Sequence, residues 1–377
     1  MPRLSLTRWS ACVVAVLAVG LVTTGVAAAN RGDDGQSEHH KNSRHDRHFG
    51  AGYTVTPLVS DEHGVAPNTD PNLVNAWGLV AGPATPWWVA NNGTNTSTLY
   101  DGLGTLFPPP PNGPLVVSVP GAPTGTVFNG GANFKVSNGT TDVASKFIFA
   151  TEGGTILGWP GGVTAAVQAV DSSASGAVYK GLAIDGDMLY ATDFANGKVD
   201  VFDGSWNPVV MPGAFTDPFM PTGYGPFGIQ NLNGNIFVTY AKQQAGSTDE
   251  LAGHGLGIVD EYSPTGAFEQ RVGSFRGLNA PWGLAWAPAD GFGTHSGELL
   301  VGNFGDGRIN VFVQRPSGQW LSDSQLRDHD GHRITIDGLW ALAFGNGTNN
   351  APTTSLYFTA GPDEESHGLF GTVTANP

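Results

Sequence analysis

Two short patterns alternate along most of this 377-residue chain. The first is a bulky residue, then Gly or Ala, then an aliphatic one. It occurs as Trp77-Gly78-Leu79, Lys180-Gly181-Leu182, Phe227-Gly228-Ile229, Trp282-Gly283-Leu284 and Trp340-Ala341-Leu342, with Thr124-Gly125-Thr126 a weaker copy. The second is an apolar run at 88–91, 148–152, 189–193, 237–240, 300–303 and 357–360, closing on Asn91, Glu152, Asp193, Tyr240, Asn303 and Ala360. A Gly-rich turn and a third alternating run usually follow, most clearly at 197–203 and 307–312 and more loosely at 257–262 and 97–101. Period-two runs separated by Gly, Asp and Asn predict antiparallel meanders. The first pattern recurs at intervals of 47 to 58 residues, which suits one four-stranded unit with variable loops.

Six such units predict an all-β chain, a six-bladed β-propeller over residues 51–377. A β-sandwich would not need six copies. The last unit offers strands near Trp340, at 356–359 and at 368–373, and is one strand short. The orphan run at 53–59 is expected to complete it and close the ring, removing exposed edges. Pro57 lacks an N–H donor, so that strand suits the outer edge of the blade.

The repeats resemble those of NHL-type six-bladed propellers. More narrowly, the chain resembles a family of uncharacterised secreted bacterial propellers. Residues 70–79, 147–156, 281–285 and 336–344 carry the likeness, and most specifically 356–371 with its Gly361-Pro362-Asp363-Glu364-Glu365-Ser366-His367-Gly368 core. The resemblance implies the fold and no particular activity.

The N-terminus reads as an export signal over residues 1–29: Arg3 and Arg8, then an apolar run at 11–26, then Ala27-Ala28-Ala29 before Asn30. The rival reading, a retained anchor, is disfavoured by the short apolar core. Residues 30–50 form a polar linker with His39, His40, His45 and His48, expected to be disordered and open to metal only as a secondary reading. The single cysteine, Cys12, falls in the signal, so the mature protein has no thiol or disulfide chemistry. Without Arg3 and Arg8 there are 15 Lys and Arg against 32 Asp and Glu, a formal charge of −17. That balance argues against nucleic acid and anionic membranes and leaves extracellular glycans, proteins and cations as partners, bound by a monomer.

The residues that close each second strand should ring one mouth of the channel. Asn91, Glu152, Asp193 and Asn303 form an oxygen-donor set of the kind that takes Ca²⁺ or another divalent cation. Asn and Asp are equally ordinary turn residues at strand ends. Six-bladed lactonases and related hydrolases hold a divalent cation at this mouth, and the ring is similar in kind. That likeness implies, as the alternative to a binding module, a metal-dependent lactonase or esterase. A second candidate is the loop Asp363, Glu364, Glu365 and His367, which with Tyr240 makes the expected binding set. Trp77, Phe227, Trp282 and Trp340 at equivalent positions are expected to pack between blades, with carbohydrate stacking a lesser reading.

Overall fold

The computed structural model describes residues 52–109 and 111–377. The export segment 1–29 and the linker 30–50 lie outside the described residues. The chain is a six-bladed β-propeller. Blade 1 runs through Ala76–Val80, Trp87–Asn91, Thr96–Tyr100 and Val116–Ser118. Blade 2 uses Pro123–Phe128, Phe147–Thr151, Thr155–Trp159 and Val167–Asp171, with a small hairpin of Lys135–Ser137 and Asp142–Ala144 inserted after its first strand. Blade 4 uses Tyr224–Leu232, Asn235–Lys242, Gly257–Tyr262 and Phe268–Ser274. Blade 5 uses Pro281–Trp286, Leu299–Asn303, Ile309–Gln314 and Trp320–Gln325.

Blade 3 departs from the expected four strands. It has Tyr179–Asp185, Met188–Asp193 and Lys198–Asp203 only. The next segment makes two backbone bonds to the third strand, Asp203 N to Asn207 O at 2.9 Å and Val209 N to Val201 O at 2.8 Å. Pro208 and Pro212 remove two donors from it, so a fourth strand does not propagate.

Blade 6 closes the ring. Its own strands are Leu339–Phe344, Leu356–Ala360 and Leu369–Ala375, and Tyr53–Ser60 pairs antiparallel with the last, from Tyr53↔Ala375 to Ser60↔Leu369. The short Asn68–Thr69 strand covers only Val59 and Ser60, which leaves Pro57 on the open edge.

The Gly of the first repeat pattern is required by close approach rather than by dihedral freedom. A Cβ on Gly228 would run into the carbonyl of Trp282, and one on Gly283 into the carbonyl of Trp340, each on the next blade. Side-chain hydroxyls bind the same seam: Thr192 Oγ1 donates to Phe227 O at 2.7 Å, and Thr124 Oγ1 to Tyr179 O at 2.7 Å. In all six inner strands the pairing register shifts at the first repeat pattern, as between Ala76 and Leu79 or Pro281 and Leu284. A bulge at that point re-aims one side chain. Here it turns the bulky residue toward the channel.

Candidate functional site

The bulky repeat residues meet one another on the axis, a correction to the expectation that they pack between blades. Trp77 and Trp340 stack with ring centroids 3.5 Å apart, and Phe304 stacks on the other face of Trp340 at 4.0 Å. Trp282 and Phe227 stand edge-on to Trp77 at 6.1 and 6.5 Å. The indole donors are satisfied. Asn75 Oδ1 accepts from Trp77 at 2.9 Å and Trp340 at 3.0 Å, and the Trp282 N–H donates to Lys180 O at 3.1 Å. The plug fills the channel near one end. Beyond it lies a cavity of about 20 Å³ lined by the repeat glycines and aliphatics, including Gly78, Leu182, Ile229 and Leu342.

Lys180 is the one charged member of this ring, and its side chain is 2 % exposed. Its Nζ lies 4.9 Å from the Trp77 ring centroid and 2.5 Å from Glu152 Oε1. Burial alone would pull the lysine pKa down, but Glu152 and Glu250 outweigh it and hold the pKa above the ordinary lysine value. Asn92 Nδ2 donates to the second Glu152 oxygen at 2.9 Å.

Asp249 Oδ1 lies 3.9 Å from the same ammonium, and the charge of Lys180 also acts on two further carboxyls. Glu250 comes from the long loop between the second and third strands of blade 4. Burial raises its pKa, against the pull of Lys180. Glu365 comes from the corresponding loop of blade 6. Burial first, then the charge of Glu250, push its pKa from 4.5 to about 7, while Lys180 pulls it back.

Glu365 is delivered by an unusual backbone. Asp363, Glu364 and Glu365 have φ of 56°, 54° and 66°, three successive left-handed residues without a glycine. Each costs on the order of 1 kcal/mol or more, and such strain persists only where the surroundings enforce it. Asp337 Oδ2 accepts from Asp363 N at 2.9 Å, Ser366 Oγ donates to Asp363 O at 2.6 Å, and Asp61 accepts from Gly368 N at 2.8 Å.

The other expected residues separate. Asp363 and Glu364 are exposed. His367 turns away to Asp61, 3.0 Å from Nδ1 to Oδ2, and that bond raises its pKa. Tyr240 does not reach the mouth: it is buried in blade 4, its hydroxyl 2.6 Å from that of Tyr262.

The ring of strand ends is also not brought to one point. Asn91 bonds Thr96 and Thr98 in blade 1, each at 3.0 Å. Asp193 caps the turn to Asn196 in blade 3, and Asn303 bonds Gly277 O, Asp306 and Asn310. Only Glu152 faces the mouth, and the pairing register gives the reason. Asn91, Asp193, Tyr240, Asn303 and Ala360 pair with Ala76, Tyr179, Pro226, Pro281 and Leu339, and their blade 2 equivalent, opposite Pro123, is Thr151. Glu152 is one residue further on, in step with Asn92, Phe194 and Phe304. Along a strand one residue changes the face. Among the described residues, His and carboxylate groups close enough to share a metal occur elsewhere, at His295, Glu298 and Asp323 and at Asp328, Asp330 and His332.

Comparison with known proteins adds kinship without an activity. No protein-family profile matches the chain. "Uncharacterized protein R648" of Acanthamoeba polyphaga mimivirus is 32% identical over 330 residues, 85% of this chain and 80% of that protein. "Uncharacterized protein L690" of the same virus is 31% identical over 335 residues, 86% of each. Kinship with uncharacterised proteins is thus met by viral relatives, where bacterial ones were expected. Among solved structures, one described as a streptogramin B lyase superposes with a TM-score of 0.50 at 12% identity, covering 86% of this chain and 98% of that chain. At that identity the likeness speaks for the fold alone.

Proposed function

The chain belongs to the family of mimivirus R648 and L690, and from that premise we propose that it is a binding propeller whose channel mouth takes a ligand bearing a positive charge. One observation carries the reading: four carboxyls, Glu152 and Asp249 in ion pairs and Glu250 and Glu365 within reach of its charge, gather about the ammonium of Lys180. A surplus of negative charge in a half-buried site is costly unless a cation joins it. The aromatic floor under Lys180 favours cations as well, and the strained loop presents Glu365 to it.

A metal-dependent hydrolase has less support. It needs Asn91, Glu152, Asp193 and Asn303 to share one ion, and three of these are engaged inside separate blades. Export of the protein is a proposal resting on Arg3, Arg8, the apolar run and the Ala27-Ala28-Ala29 site. Sequencing the N-terminus of protein recovered from medium tests it, with Asn30 expected first.

Calorimetric titration with spermidine, with mannitol as a neutral control, tests the mouth. Saturable spermidine binding is expected at pH 8, weakened roughly tenfold in Glu365→Gln. Equal binding by parent and variant, or mannitol binding as well as spermidine does, would refute the reading.

A further inference from the structure

On the outer side of blade 5 the charge pattern is reversed. Of the 17 Lys and Arg residues in this acidic chain, six precede residue 52. Three of the remaining eleven, Arg308, Arg327 and Arg333, line one groove of about 500 Å³ together with His254, Asn310 and Gln325. Asp323 is the only carboxylate residue in that lining. Like charges gathered in one concavity repel each other, so the arrangement costs stability unless an anion offsets it.

The three arginines are held by different elements. Arg308 immediately precedes the third strand of blade 5, and its Nη1 lies 3.5 Å from Asp306 Oδ2. Its Nε is buried and has no hydrogen-bond partner among the described residues. A buried donor of this kind calls for an acceptor. Arg327 and Arg333 bridge each other across the loop leading to blade 6, and Arg327 Nη1 donates to Gly331 O at 2.6 Å. Neither is in an ion pair with a described residue. Asn310 and Gln325 are tied to each other by a 2.9 Å bond, which fixes the wall between the arginines.

We propose that this groove is a binding site for a phosphate group, free or as a monoester, clasped by Arg308, Arg327 and Arg333. Guanidinium presents paired, planar donors that match a tetrahedral oxyanion. Three guanidinium groups against Asp323 in the lining and Asp306 beside Arg308 leave a net positive charge that suits an anion. The site is separate from the channel mouth and opposite to it in charge, so it stands or falls independently of the mouth.

The test is calorimetric titration at low ionic strength with two probes, inorganic phosphate and glucose 6-phosphate. It uses the parent protein, Arg308→Gln, Arg333→Gln and, as a control away from the groove, Lys135→Gln. Melting curves establish that each variant is folded. Saturable binding of at least one probe is expected, weakened roughly tenfold or more in both arginine variants and unchanged in the control. Preference for the ester identifies a phosphorylated organic ligand, and preference for the inorganic ion identifies free phosphate. The proposal is overturned if neither probe saturates, or if the folded arginine variants bind as the parent does.

Discussion

Lys180 and Glu152 form an ion pair 2.5 Å long at the centre of the propeller, with the lysine almost wholly enclosed. They come from adjacent blades, Lys180 on the inner strand of blade 3 and Glu152 just past the second strand of blade 2. The pair therefore pins two blades at the axis while leaving one face of the carboxylate at the mouth. Removing one partner of a buried pair costs more than the pair itself contributes, because the other charge stays buried.

Lys180→Met removes the cation that, among the described residues, opposes Glu152, Asp249, Glu250 and Glu365. The variant should lose on the order of 3 kcal/mol at pH 8, read from urea denaturation. The loss should shrink at pH 5, below the pKa of about 7 of Glu365, where that carboxyl takes up its proton and the repulsion falls. A loss equal at both pH values would mean that packing against Trp77, and not charge, gives Lys180 its role.

Glu365 gives a prediction of the opposite sign. Its folded pKa of about 7 lies above the ordinary 4.5, so the folded protein holds this proton more tightly than the unfolded chain does. Its contribution to stability is greatest below pH 4.5 and is lost as pH rises through 7. Glu365→Gln should therefore raise the midpoint of thermal unfolding at pH 8, by at most about 3 kcal/mol of stability, with the gain vanishing toward pH 4.5. A variant less stable than the parent at pH 8 would show that the carboxylate is compensated in place.

The blades were legible because each repeat carries its pattern within some fifty residues. The mouth was only partly so. Lys180 stood at an aromatic position in the repeat, and that substitution was a signal of an unusual centre. Neither the meeting of Trp77 with Trp340 nor the shared acceptor at Asn75 could be read locally, since closure brings together residues 265 apart in sequence. The ring of strand ends failed through register: Glu152 was grouped with residues one position earlier, whose side chains face into their blades. Glu250 lies in a loop without periodicity, and nothing in its surroundings marked it.

Closure itself is testable. Tyr53 and Val59 are buried, at 3 % and 0 % exposure, and seven residue pairs join Tyr53–Ser60 to Leu369–Ala375. A chain beginning at Asp61 loses the burial of Tyr53, Leu58 and Val59, on the order of 5 kcal/mol. It also exposes the strand holding Phe370 and Val373 as an unpaired edge. Such a chain should melt well below the parent and self-associate in size-exclusion chromatography. Because the missing strand contributes mainly backbone bonds and alternate buried side chains, it should also work in trans. A synthetic peptide of residues 52–60 should bind the truncated chain, raise its melting temperature and restore the elution position of the parent. Substituting Val59→Asp in that peptide should abolish the rescue, since the side chain enters the core shared by blades 6 and 1. A truncated chain that elutes as the parent does, with an unchanged melting temperature, would show that blade 6 needs no fourth strand.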